Sequence, residues 1–162
     1  MGFFVYLCEM TTIRDKINAC NYVINNMLDE QERIILRNED KIIALNVDQF
    51  ENGQGSDDKK LFNKNPKFDG VYSLSTQLID NRKVAGDLYN FYKTGNFLNG
   101  LQLEMQPNLV KFDMFSTGTG SGDKSIFFAG YANLFGLDKN NNRILNEEII
   151  LPELLIWIKK YI

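Results

Sequence analysis

Four sets of residues have types and spacings that could do chemistry. Gly118-Thr119-Gly120-Ser121-Gly122-Asp123-Lys124-Ser125 has the glycines and the Lys-Ser pair of a phosphate-cradling loop. Such a loop needs glycine directly before the lysine and a helix after it, so that backbone N–H groups face the phosphate oxygens. Asp123 stands at the glycine position and would set a negative charge against phosphate, and Ile126-Phe127-Phe128 reads as strand. Residues 116–123 therefore read better as a hairpin loop. Asp138-Lys139-Asn140-Asn141-Asn142-Arg143 places side-chain oxygens at the first, third and fifth positions of a calcium-binding loop. The sixth position, where the turn wants glycine, is Arg143, and the twelfth, where a bidentate glutamate belongs, is Ile149. The alternative is an Asx-rich turn over 138–142 that caps the last helix. Asp48, Glu51, Asp57 and Asp58 could supply a carboxylate pair for acid–base work or glycoside hydrolysis, but surface carboxylates in a turn account for them equally. Cys8 and Cys20 are too few for a zinc site and too far apart for a redox pair, and read as free buried thiols.

Composition narrows the chemistry further. The chain has no histidine, which removes Ser-His-Asp and Cys-His catalysis and histidine-based metal centres. Its net charge is −3 and it has no Lys/Arg block, so tight binding to nucleic-acid phosphates is not expected. At 162 residues, 44 % hydrophobic and 24 % charged, residues 1–162 read as a single globular domain of ordinary composition. Twelve Phe, seven Tyr and one Trp supply more rings than usual, and rings dominate buried area in cores and subunit contacts. No apolar run is long enough to span a membrane, and no metal or organic cofactor is implied. Gly2 to Cys8 is apolar, but no positive region precedes it and Glu9 follows. Residues 1–10 read as an N-terminal arm with Phe3 and Phe4 docking on a neighbour, or as a stretch preceding a true start at Met10.

The elements that must position these residues give an α+β fold. Thr11 or Thr12 caps a helix with Asp15 at its first turn. Ile13, Ile17, Cys20, Ile24, Met27 and Leu28 then recur at helical spacing. A second helix is expected from about Glu30, with Ile34, Ile35, Ile42, Ile43, Leu45 and Val47 inward and Arg33, Arg37, Glu39, Asp40 and Lys41 outward. Whether 28–31 breaks the helix or one helix runs through it stays open at this point. Residues 52–58 cluster Asn, Gly, Asp and Ser, which is turn chemistry. The long loop, 52–92, continues through 63–90, where Phe68, Tyr72, Leu74, Leu78, Leu88 and Tyr89 predict an ordered, aromatic-pinned segment. Residues 87–100 read as a short helix or a turn around Gly95. Leu101–Gln106 and Leu109–Phe115 alternate apolar and polar around Pro107-Asn108 and predict a hairpin. Ser125–Ala129 reads as a third short strand or a buried segment. A last helix is expected from about Asn146 to Tyr161, with Glu147 and Glu148 at its positive end, Lys159 and Lys160 at its negative end, and Pro152 at or after its first turn.

The stretch from Asn46 to Phe97 organises the rest. A helix ending in Ala44-Leu45-Asn46-Val47-Asp48-Gln49-Phe50 runs into Gly53-x-Gly55-Ser56-Asp57-Asp58-x-x-Leu61. Lys93-Thr94-Gly95-Asn96-Phe97 and alternating strands follow, and Tyr131 with Leu134-Phe135-Gly136-Leu137 comes near the end. Over roughly residues 30–160 this resembles the small virion structural proteins of tailed bacteriophages. The nearest are neck, ring and tail-completion proteins of phages of Bacteroides-like hosts, the crAss-like group included. The chain departs from that pattern at Phe50, Gln54, Asp58 and Lys93. The resemblance implies a non-enzymatic, homo-oligomeric ring protein of the head–tail connector, assembled in the host cytoplasm and located in the virion. It would contact the portal or adjacent ring and tail proteins, DNA would pass through without specific binding, and no membrane would be involved. Subunit contacts would then involve Phe3, Phe4, Tyr72, Tyr89, Phe91, Tyr92 and Trp157, with core packing the alternative role for Trp157 and equally for Tyr72, Tyr89, Phe91 and Tyr92. Two other readings are a small ligand- or calcium-binding domain using 116–123 or 138–142, and a small hydrolase using the loop carboxylates.

Overall fold

The computed structural model describes residues 12–61, 70–90, 96–106, 111–117, 130–131 and 133–161. Phe3, Phe4, Phe91, Tyr92, Cys8, the Pro107-Asn108 turn, nearly all of the Gly-rich loop and the expected strand 125–129 lie outside them. Helices and a small antiparallel sheet make an α+β layout, as the patterning predicts.

Helix α1 spans Ile13–Arg37. Thr12 caps it reciprocally: its hydroxyl accepts from the Asp15 N–H at 3.2 Å while the Asp15 carboxylate accepts from the Thr12 N–H at 2.9 Å. Hydrogen bonds from the Thr12 side chain, then from its backbone, hold the Asp15 carboxyl below its ordinary pKa. The helix runs straight through 28–31, where neither Gly nor Pro interrupts it. It ends at Asn38, whose N–H bonds the Ile34 carbonyl and whose side-chain amide reaches that same carbonyl at 2.9 Å. Helix α2, Glu39–Glu51, starts there. The break thus falls at residue 38, and Arg33 and Arg37, expected on the second helix, belong to α1. Both pair with the buried Glu30, and Arg37 also reaches Glu153 at 2.8 Å.

Two short helices follow, α3 (Leu74–Ile79) and α4 (Asn96–Asn99), and then β1 (Leu101–Met105) and β2 (Phe112–Ser116). The strands pair antiparallel from Leu101 opposite Ser116 to Met105 opposite Phe112. Leu101, Leu103 and Met114 face inward, as the alternation requires.

The C-terminal helical run begins earlier than expected. Helix α5 covers Lys139–Ile144, a π-helical stretch covers Leu145–Ile150, and α6 covers Leu151–Ile158. Its first residue follows Asp138, so Pro152 lies well inside it. Proline has no N–H for the carbonyl four residues back, and its ring crowds that carbonyl. The wide i→i+5 turns just before Pro152 accommodate it without ending the helix. Glu147 and Glu148 consequently sit mid-run, where they do not face a helix N-terminus, and Glu147 pairs with Arg143 at 3.0 Å.

Three apolar clusters join into one core. Ile35, Ile42, Leu103, Met114, Leu137, Leu145 and Ile149 form the first. Val23, Ile34, Leu154 and Trp157 form the second, between α1 and α6. Phe50, Leu61, Leu101 and Leu134 form the third. Half-buried Ile43 and Ile150 bridge them. On the buried face of α2, Asn46 and Gln49 take positions that the periodicity would give to apolar residues, while Leu45 and Val47 are only half-buried.

Asn38 is buried and bonded to Ile34, Glu153 and Lys41. Replacing it by Ala is expected to cost about 1–2 kcal/mol in chemical denaturation. Asn52→Ala, which removes only an exposed bond to the Asp48 carbonyl, should stay within about 0.5 kcal/mol.

Candidate interaction site

The turn after α2 docks on residues 133–141 through side-chain amides. Gln49 donates to the Gly136 carbonyl at 3.0 Å, and its own carbonyl accepts from the Asp138 N–H at 2.8 Å and the Asn141 amide at 3.1 Å. Asn46 donates to the same Gly136 carbonyl at 2.7 Å. The Asn141 amide also reaches the Leu45 carbonyl at 2.9 Å. On the other side of the clasp, Asn133 donates to Asp57 at 2.7 Å and to the Lys60 carbonyl at 3.1 Å, and its carbonyl accepts from the Ser56 N–H. Asp58, at φ 61°, accepts from the Lys139 N–H at 2.8 Å. Gly55 lies so close to this clasp that a Cβ would sit 2.1 Å from the Asn133 amide nitrogen.

This arrangement assigns the residues whose types suggested chemistry. Asp57 and Asp58 hold the turn, and Asp48 and Glu51 are exposed on α2. The Asn133 hydrogen bond keeps the Asp57 carboxyl below its ordinary range, opposite to what a general acid near neutral pH needs. Asp138 is the N-cap of α5 and accepts from the Asn141 N–H at 2.7 Å. The Asn142 amide turns back to donate to the Leu137 and Asp138 carbonyls, and Asn140 accepts from Arg143. These contacts make 138–142 a helix-capping turn. Among the described residues, no three Cys, Asp or Glu side chains lie close enough together to hold a metal ion. Of the Gly-rich loop, only Ser116 and Thr117 are described. Ser116 donates to the Phe97 carbonyl at 2.6 Å, and the Thr117 N–H bonds Gly100.

The clasp supports an excursion formed by residues 70–90. Its two arms meet where Val71 bridges Leu88, with backbone bonds Tyr72 to Asp87, Gly86 to Tyr72 and Tyr89 to Gly70. Tyr89 is buried, edge-on to Tyr72 at 5.0 Å and to Tyr131 at 6.2 Å. The Tyr72 hydroxyl donates to Asn90 at 2.9 Å, which also accepts from the buried Lys83 at 2.8 Å, and the Lys83 ammonium lies 4.8 Å from the Tyr72 ring centroid. At the tip, Arg82 makes two parallel bonds to Asp80 at 2.8 and 2.9 Å. Those bonds bring the Asp80 carboxyl down from 3.8 to about 2.

Aromatic side chains therefore pin the excursion, as expected, but its aliphatic ones do not. Leu74, Leu78, Ile79 and Val84 point to solvent, Leu78 at 80 % and Ile79 at 85 % exposed, while Leu88 lies against Gly53. Of the two roles open to Tyr89 and Trp157, subunit contact or core packing, both side chains take core packing within one copy, and Tyr72 is half-buried. The apolar surface of the excursion is aliphatic, and the sequence pattern left the direction of these side chains unassigned. The clasp amides were also missed. Their signal was Asn46 and Gln49 on the inward stripe of α2, three residues apart. Among the described residues, no helix is long and apolar enough to cross a membrane.

Gly55→Ala is expected to destabilise by about 2–3 kcal/mol, because the Asn133 amide must move. Gly86→Ala meets nothing within 4 Å, so only its φ of +95° opposes it, at about 1–2 kcal/mol. Both are read by chemical denaturation. The folded-state pKa of Asp80 is lowered, so its contribution is complete above the ordinary carboxylate value and is lost as pH falls from 3.8 through about 2. Asp80→Asn should remove the part of the acid-induced drop in Tm that falls in that window. Comparison of the chain with protein-family models, with curated proteins and with solved structures finds no match.

Proposed function

We propose that the chain is a non-enzymatic assembly protein whose exposed aliphatic surfaces grip other subunits. The specific form we propose is a ring-forming adaptor of the head–tail connector, neck or tail-completion region of a tailed-bacteriophage virion. One observation carries the reading. The excursion over 70–90 is internally locked by Tyr72, Lys83, Tyr89 and Asn90, yet it holds Leu74, Leu78, Ile79 and Val84 out toward solvent. A pinned loop with an outward apolar face is the arrangement of an interaction site, because contiguous exposed apolar surface mostly marks contacts. Of the segments that carry the resemblance to phage neck and tail-completion proteins, the turn motif 53–61 lies at the base of this feature, where Gly53 packs against Leu88, and Phe97 packs against Phe50 of α2.

In this reading the clasp and core form the rigid wedge, and the excursion reaches the next copy around the ring. Other faces meet the portal, or an adjacent ring or tail protein. Contacts of this heterologous kind close into rings when the rotation between copies closes. A net charge of −3 suits a ring that DNA passes through without being held.

Imaging of the purified protein at rising concentration, with mass measurement in parallel, tests the proposal. Ring-shaped, high-mass species are expected. Leu78→Asp with Ile79→Asp should abolish them while leaving Tm nearly unchanged, since both side chains are exposed. A monodisperse monomer at every concentration, or rings that persist in the double variant, would count against it.

A further inference from the structure

We infer that the N-terminal half of α1 docks on the same half of a second copy, antiparallel, across a two-fold axis beside Cys20. Helix α1 meets α6 only from Tyr22 onward: the Tyr22 and Tyr161 rings lie 4.6 Å apart, and Val23 and Ile34 pack with Leu154 and Trp157. Before that point α1 stands clear of the described body, and from Thr12 to Asn21 every residue except Ala19 is exposed. Helical turns without a tertiary partner are marginal in water even when well capped. An apolar stripe runs along their open side and continues past Tyr22, on the face turned away from α6. Ile13 is 81 %, Ile17 54 %, Ile24 67 % and Leu28 62 % exposed, and the exposed free thiol of Cys20 lies between them. Cys20 was expected to be buried; it lies instead at the middle of this seam.

The order of side chains along the stripe selects a second copy as its occupant. Laid antiparallel, Ile13 falls opposite Leu28 and Ile17 opposite Ile24, so every large aliphatic meets another and the axis passes between Cys20 and Asn21. Charge agrees with that direction. Arg14 and Lys16 lie at one end, Asp29 and Glu32 at the other, and antiparallel pairing sets basic end toward acidic end. Parallel pairing would set Arg14 and Lys16 against their own copies. Covering the four aliphatics and their flanks removes roughly 500 Å² per copy, about 1,000 Å² in all, which reaches the lower bound for a specific, readily reversible interface. At an ordinary interhelical spacing of about 8–10 Å the two Cys20 Cα atoms fall about 6 Å apart, within disulfide reach. This contact is independent of the ring reading: it is two-fold, rests on α1 alone, and involves none of the excursion.

The test uses the full chain with Cys8→Ser, so that Cys20 is the one thiol. Sedimentation should show a concentration-dependent dimer, and a mild added oxidant, which accepts the two electrons while the two thiols release their protons, should link Cys20 to Cys20. Because parallel pairing would also link Cys20, direction is read in the Cys8→Ser, Cys20→Ser background. A mixture of the Ile13→Cys and Leu28→Cys chains should link to each other, and neither should link to itself. Ile17→Glu with Ile24→Glu should weaken dimerisation by roughly tenfold or more, with far-UV circular dichroism confirming retained helix. Self-linking of Ile13→Cys and of Leu28→Cys would overturn the antiparallel pair. So would a monomer, whether Cys20 reacts freely with a maleimide (an open stripe) or slowly (a stripe covered by the same chain). The variants of Leu78 and Ile79 leave this contact untouched, so its failure and that of the ring are separable.

Discussion

The Gln49 amide is the interaction on which the rest of the molecule depends. It donates to the Gly136 carbonyl and accepts from both the Asp138 N–H and the Asn141 side chain, fully inside the protein. One side chain on α2 thereby fixes the backbone at Gly136 and the point where α5 starts. A buried amide left half-paired costs more than the bonds it makes are worth, which forces the two segments into a single relative position. Asn46 adds a second bond to Gly136, and Asn133 and Asp58 extend the constraint to the Gly53–Leu61 turn. That turn seats the excursion through Gly53, which lies against Leu88. The path from core to exposed surface is thus polar at its centre and aromatic at its rim.

Rigidity at the base and apolar side chains at the tip belong to one arrangement. Tyr72, Lys83 and Asn90 lock the excursion with bonds at 2.8–2.9 Å, which reduces the ordering entropy a partner contact would otherwise have to overcome. The acidic Asp80 and basic Arg82 at the tip are paired with each other, so neither charge is left for the aliphatic face beside them. Helix α1 follows the same logic on another side. Where it meets α6 its inward face is core, and where it projects a second stripe is left open.

Much of this was legible from residue spacing. Thr12 with Asp15 marked the start of α1, and the alternation over 101–115 gave the hairpin with its inward Leu101, Leu103 and Met114. What could not be read came from contacts distant in sequence. Asn38 ends α1 partly through a bond to Glu153, which no local pattern reveals. Periodicity identifies an apolar stripe but not what covers it, so Ile17 looked as inward as Leu103, and the weak periodicity over 63–90 did not say which way Leu74 and Leu78 face. Pro152 marked the first turn of a helix from about Asn146, not the interior of a longer one, because a π-helical accommodation depends on the residues around it fitting the core: Leu145 and Ile149 do. The acidic and Asx clusters suggested ligand chemistry because a capping turn and a metal loop draw on the same oxygens.

Amide hydrogen exchange on the intact chain, compared at low and high protein concentration, tests most directly the idea that the outward aliphatic surfaces are the working parts. Protection over 74–88 should rise with concentration, while the clasp amides of Ser56, Asp138 and Asn141 stay equally slow at both. Identical exchange over 74–88 at every concentration would contradict the account.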